Sequence, residues 1–182
     1  MKFRTHRVKR VLVPGLMAMM VAVGLASCGY ATAALPPDVA TPGSNGHYKV
    51  GDAAAIGTYV LSVDRVLFPS DLNGVTPSPG MKFLVIDMTI KTIDTQNDRI
   101  SPAAQMAVKD AKGTEYILDA DVTPATDMTT TQLPDTIPAL GSIHGEVAYQ
   151  VPVDASGLQL VFNPSFVASL IGHGHTMTID LE

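Results

Sequence analysis

The chain has 182 residues, a formal net charge of −5, 46% apolar residues, one cysteine and no tryptophan. That length fits one domain, and the apolar content suffices for one packed core, which argues against global disorder. A lone cysteine leaves no intrachain disulfide framework and no multi-cysteine metal cluster, and 5% aromatic residues is too few for a base-stacking nucleic-acid binder.

The charge is unevenly spread. Five of the 12 basic residues, Lys2, Arg4, Arg7, Lys9 and Arg10, lie in the first ten positions, and no acidic residue precedes Asp38. Without residues 1–27 the chain keeps seven basic against 17 acidic groups. So acidic a chain repels phosphate backbones, and nucleic acid is not expected as a partner.

Val11–Leu25 follows the basic start, apolar and uncharged but interrupted by Pro14 and Gly15. It is shorter than the roughly 20 residues a transmembrane helix needs. A basic segment before a short apolar one is the layout of a secretory signal. Leu25-Ala26-Ser27-Cys28 then resembles the bacterial lipobox, in which a signal peptidase cleaves just before the cysteine and lipid is attached to its thiol. The resemblance implies a signal peptide over 1–27 and a lipidated first residue, Cys28, that binds the membrane. Several acyl chains would hold it there stably, each buried methylene contributing about 0.8 kcal/mol. A plain secretory signal with an incidental cysteine, and an uncleaved N-terminal anchor, are the alternatives. Gly29 follows the cysteine, not the Asp that resembles an inner-membrane retention signal in Gram-negative cells, so inner and outer membrane both remain open. Residues 28–46, rich in Ala, Pro and Gly, read as a flexible tether.

From residue 47 to 182 the pattern is that of strands. Tyr59, Leu61 and Val63 alternate, with Val66 on the wrong parity, which a bulge at Asp64–Arg65 would restore. In Met81–Thr92, Leu84, Ile86, Met88 and Ile90 share one face, and Phe83 and Val85 make the first half apolar on both, as in a central strand. Ser101–Met106 fits one helical turn. Gln105–Lys109 and Thr114–Leu118 flank the hairpin signal Asp110-Ala111-Lys112-Gly113. In Ser142–Gln150, Ile143, Gly145, Val147 and Tyr149 alternate with Ser142, His144, Glu146 and Gln150, predicting a strand with one wet face that Pro152 ends. Leu158–Phe162 is short and apolar, Ser165–Ile171 fits a helical turn, and Met177, Ile179 and Leu181 alternate again. Two irregular stretches, Pro69–Gly80 and Asp119–Leu140, interrupt the series. About seven to eight short strands predict an all-β, antiparallel sandwich.

The order of these pieces resembles a bacterial family of immunoglobulin-like lipoprotein domains of unknown function, whose sandwich a mycobacterial secreted immunoprotective antigen shares. The pieces are Tyr48–Asp52 with Tyr59–Val63 as an opening strand pair, Gly80–Ile90, Asp110–Tyr116, Gly145–Pro152, Leu158–Phe162 and Thr176–Leu181. The chain departs at Lys91-Thr92-Ile93, where the family has a short polar turn with Asn, and Asp119–Leu140 matches no pattern. The resemblance carries no catalytic residues. It implies a cell-envelope binding or scaffolding module, with an envelope or extracellular protein or glycan as partner.

Two candidate sites remain. His173 and His175, two apart, share a face if extended, and with His144, and His47 as a fourth, they could chelate zinc or copper. The alternative is a polar glycine-rich turn. Asp119, Asp121 and Asp127 mark a candidate binding loop whose oxygens could hold calcium or simply form solvated turns. No nucleophile elbow, no zinc-protease motif and no phosphate-cradling loop is present. The sequence therefore predicts no enzyme and no cofactor.

Overall fold

The computed structural model describes residues 39, 40, 43, 46–72, 74–119, 132–164 and 175–182. Cys28, the signal segment, Asp121, Asp127, His173 and the turn expected at Ser165–Ile171 lie outside the described residues. Among the described residues, eleven strands and one helical turn follow in order: β1 (Tyr48–Lys49), β2 (Ala54–Ile56), β3 (Tyr59–Leu67), β4 (Met81–Thr92), β5 (Asp98–Arg99), α1 (Pro102–Gln105), β6 (Met106–Lys109), β7 (Glu115–Tyr116), β8 (Thr136–Ile137), β9 (Ser142–Pro152), β10 (Gln159–Phe162) and β11 (Met177–Asp180). Four of these are two-residue pieces.

The strands form two facing sheets, an immunoglobulin-like β-sandwich. One has the order β1-β11-β10-β6-β7 and the other β2-β3-β4-β9, with β5 and β8 as a separate ribbon. The alternating apolar residues meet between the sheets. Leu61, Leu84, Met88 and Tyr149 come from the four-stranded sheet, and Val108, Leu160, Phe162 and Ile179 from the five-stranded one, all fully buried. The rings of Tyr59 and Phe162 cross the layer edge-on, centroids 5.9 Å apart at 84°, the arrangement that sets a ring's positive edge against a negative face.

The central position expected for β4 is observed: it pairs with β3 on one side and β9 on the other, both antiparallel. The bulge is where the parity break puts it, between Val63 and Arg65, so Val66 returns to the inner register opposite Ile86. β6 and β7 form the expected hairpin. Its turn is built by Asp110, whose Oδ1 accepts the backbone N–H groups of Lys112 and Thr114, both at 2.9 Å, and whose Oδ2 accepts the Tyr116 hydroxyl at 2.9 Å.

The structure corrects three sequence expectations. Tyr48–Lys49 is not the partner of β3. It pairs in parallel with β11, and the hairpin partner of β3 is β2, closed by Gly57 at φ +59°. The second face of β9 is wet only at its ends, because Glu146 and Ala148 are buried. Ala148 packs with Leu72, Phe83 and Val85, so the Pro69–Gly80 segment folds over one end of the outer face. Finally, Asp119–Leu140 is not wholly irregular. It contains β8, and Leu133 donates its N–H to the Glu146 carbonyl at 3.2 Å, covering part of the free edge of β9. Apart from the β2–β3 hairpin, whose first strand is too short to show a period, each of these depends on segments far apart in the chain, which local periodicity does not register.

Candidate functional site

The bulge in β3 decides what the outer face of the four-stranded sheet presents. An extra residue puts two consecutive side chains on one side of a strand. Here Asp64 and Arg65 both reach outward, Asp64 to Ser62 and Thr89, Arg65 to Asp87. Register supplies the rest. Arg65, Asp87 and Glu146 lie in one row across β3, β4 and β9, and Ser62, Thr89 and His144 in the next. Beyond the first row, Leu67, Val85 and Ala148 begin the apolar end beneath Leu72. The outer face is thus an apolar, covered half joined to a polar, open half.

In the polar half, Asp64 Oδ2 accepts the Thr89 hydroxyl at 2.7 Å and Asp64 Oδ1 that of Ser62 at 3.1 Å. The Arg65 guanidinium lies 3.3 Å from Asp87 Oδ2 and 3.7 Å from Glu146 Oε1. The Nε2 atom of His144 lies 2.9 Å from Asp87 Oδ1 and 3.8 Å from Asp64 Oδ2. Among the described residues, Asp64, Asp87 and His144 are the group whose ligand-type atoms all fall within 4.8 Å of one another. Asp87 and Glu146 are buried, whereas Asp64 and His144 face solvent, so the cluster has a closed floor and an open rim.

The residues singled out from sequence fall in different places. His144 has the two aspartates as neighbours. His175 precedes β11 in the opposite sheet and is exposed. His47 is engaged by Asp180 at 3.0 Å and by the Gln159 amide at 3.2 Å. Asp119 donates its N–H to the Ala148 carbonyl at 3.0 Å and accepts the Gln150 amide at 2.6 Å, tying the start of the long segment to β9. Asp64 and Asp87 are not among the residues that the sequence singles out. The usable signal was the bulge, which implies paired outward side chains, but their convergence on His144 depends on the register of three strands.

A cleft of about 270 Å³ lies at the end of the same sheet, between Val60, Lys91, Ile93, Leu140 and Ser142. Leu140, at φ 53°, holds its side chain out to solvent there.

A domain of unknown function, DUF4352, matches residues 48–170. The chain belongs to this family. The match spans all the strands before β11 and so includes the whole outer face just described. No curated protein matches the chain. Among solved structures, the YjhA protein from Bacillus subtilis is similar at 14% identity and TM-score 0.57, over 74% of this chain and 99% of that one. A functionally unknown protein from Listeria monocytogenes EGD-e is similar at 11% identity and TM-score 0.53, over 70% of this chain and 79% of that one. The secreted protein MPT63 from Mycobacterium tuberculosis follows at 15% identity and TM-score 0.44, over 58% of this chain and 74% of that one. At these identities the likeness to the first two shows the fold alone. Among the described residues, no helix is long and apolar enough to cross a membrane.

Proposed function

We propose that this chain is a lipid-anchored cell-envelope protein whose DUF4352 sandwich is a non-catalytic binding or scaffolding module outside the cytoplasm. The observation that carries this reading is the run from a basic start through Val11–Leu25 to Leu25-Ala26-Ser27-Cys28, the chain's one cysteine, ahead of the sandwich. The partner is an envelope or extracellular protein or glycan, met by the outer sheet face or the long segment beyond Asp119. The acidic balance after residue 27 disfavours nucleic acid.

Changing Cys28 to Ala in the full chain, expressed in a bacterial host, tests the anchor. The unmodified protein belongs in the membrane fraction and takes up labelled fatty acid, and the variant appears in the soluble fraction without label. Retention of the variant on the membrane overturns the anchor. For the binding half, cross-linking in the envelope should capture a reproducible partner that is lost when Asp119–Leu140 is shortened. No capture at all would leave the module without its role.

A further inference from the structure

We propose that Asp64, Asp87 and His144 form a binding site for a divalent first-row transition metal ion, represented here by zinc, on the outer face of the four-stranded sheet. The inference is independent of the lipid anchor and assigns His144 neighbours other than the C-terminal histidines.

Three observations carry it. First, Asp87 Oδ1 is completely buried and takes part in no hydrogen bond. Its sister oxygen is occupied by Arg65, so Oδ1 is a buried acceptor left without a hydrogen bond. It faces the group formed with Asp64 and His144.

Second, His144 Nε2 stands 2.9 Å from that oxygen without forming a hydrogen bond to it. The ring nitrogen is therefore close but not aimed along the line between the two atoms. Two ligands of one ion behave this way, because their lone pairs converge on a third point. Adjacent ligands on bonds of about 2.1 Å lie about 3.0–3.4 Å apart. The 2.9 and 3.8 Å separations around Nε2 bracket that range. Asp64, exposed at the rim, can close the remaining gap by a small side-chain rotation.

Third, the charge is unbalanced. Asp64, Asp87 and Glu146 meet here, and Arg65 is the cation that reaches both buried carboxylates. Asp87 and Glu146 are directly opposite on neighbouring strands, where like charges repel. A divalent ion restores the balance.

The donor set selects the ion. An imidazole nitrogen with two carboxylates suits zinc and its neighbours, whereas calcium takes six to eight oxygens and magnesium retains its waters. Ser62 and Thr89 already hold the Asp64 carboxylate by hydrogen bonds, as supporting groups do around metal ligands. The open rim leaves the outward coordination position to water.

The test is a calorimetric titration of the full chain in detergent with zinc, with Cys28 changed to Ser so that a free thiol does not compete. One zinc ion should bind per chain. His144→Ala and Asp64→Asn should each weaken binding at least about tenfold, and a His173→Ala, His175→Ala double variant should not. Both tested side chains are partly exposed, and an unchanged far-ultraviolet spectrum verifies the fold. In the protein without any histidine substitution, zinc should also shift the His144 ring resonances in an NMR spectrum. No zinc uptake at metal excess, wild-type affinity in either single variant, an unmoved His144 resonance, or calcium binding as tightly as zinc would each overturn the proposal. Failure of the lipid anchor would show only in membrane fractionation, so the two outcomes are distinguishable.

Discussion

Asp87 and Glu146 stand directly opposite each other across β4 and β9, and both are buried. The Arg65 guanidinium reaches both, 3.3 Å from Asp87 Oδ2 and 3.7 Å from Glu146 Oε1. Arg65 is itself half exposed, which dilutes its effect. With a chelator present, Arg65→Ala should destabilise the domain by about 1–2 kcal/mol. Adding Glu146→Gln should recover much of that loss, since the second charge is gone. Urea unfolding of the two single variants and the double variant measures the coupling. Additive effects would show that the row is not one electrostatic unit.

The turn at Asp110 carries a pH dependence. Burial by itself would raise the Asp110 pKa, but the hydrogen bonds from Thr114, Tyr116 and Lys112 outweigh it and hold the carboxyl below its ordinary 3.8. A group with a depressed folded pKa stabilises the fold above its unfolded value, and that contribution fades as pH falls through the folded one. Asp110→Asn should therefore melt below the unmodified protein at neutral pH, with the gap narrowing as the pH drops past 3.8. A gap that stays constant into strong acid would mean that the charge contributes nothing.

Core and rim should respond very differently to truncation. Phe162 is fully buried against Tyr59, and Phe162→Ala should cost about 3–5 kcal/mol. Leu67, at the partly exposed end of β3, should lose less than about 1 kcal/mol as Leu67→Ala. Denaturant midpoints separate the two cases. Equal losses would contradict a core centred between the sheets.

Two glycines divide backbone strain from crowding. Gly113 and Gly157 both have left-handed φ, +81° and +61°. A Cβ at Gly113 meets open space, whereas one at Gly157 comes within 3.0 Å of the Ala111 Cβ. Gly113→Ala should cost about 1 kcal/mol for conformation alone. Gly157→Ala should cost more, because Ala111 must also move. Thermal melts of the two variants rank them.

Leu72 closes the apolar half of the outer face over Phe83, Val85 and Ala148. Leu72→Ala should cost about 2 kcal/mol and should speed proteolysis within Pro69–Gly80 at protease concentrations that spare the unmodified chain. Unchanged cleavage would mean that this segment is held by something other than Leu72.

Much of the fold was legible in the chain because its signals are local. The alternation in β4 and β9 names their inner faces, the parity slip after Val63 locates the bulge, and Asp110-Ala111-Lys112-Gly113 announces a hairpin. What is not legible is either too short or non-local. Ala54–Ile56 is too short to show a period, so β2 has no signal of its own and Tyr48–Lys49 reads as the partner of β3. Glu146 and Ala148 sit at polar-face positions of β9, and only segments more than ten residues away make them buried. The site is the extreme case. His144 was visible as a metal-ligating residue type, but its distance to Asp64 and Asp87 is a property of three strands in register. In the sequence, the neighbours that suggest themselves are His173 and His175.

The parallel pairing of β1 with β11 has a mechanical consequence. Tyr48 pairs with Ile179 and Lys49 with Asp180, while the His47 ring grips Asp180 and Gln159 beside them. A pull from the N-terminal side does not reach β1 first, because Ala40 donates its N–H to the Ala53 carbonyl at 2.8 Å and Gly43 donates to the His47 carbonyl at 2.7 Å. The load is shared between these bonds and the β1–β11 edge, so no single pair of residues carries it alone.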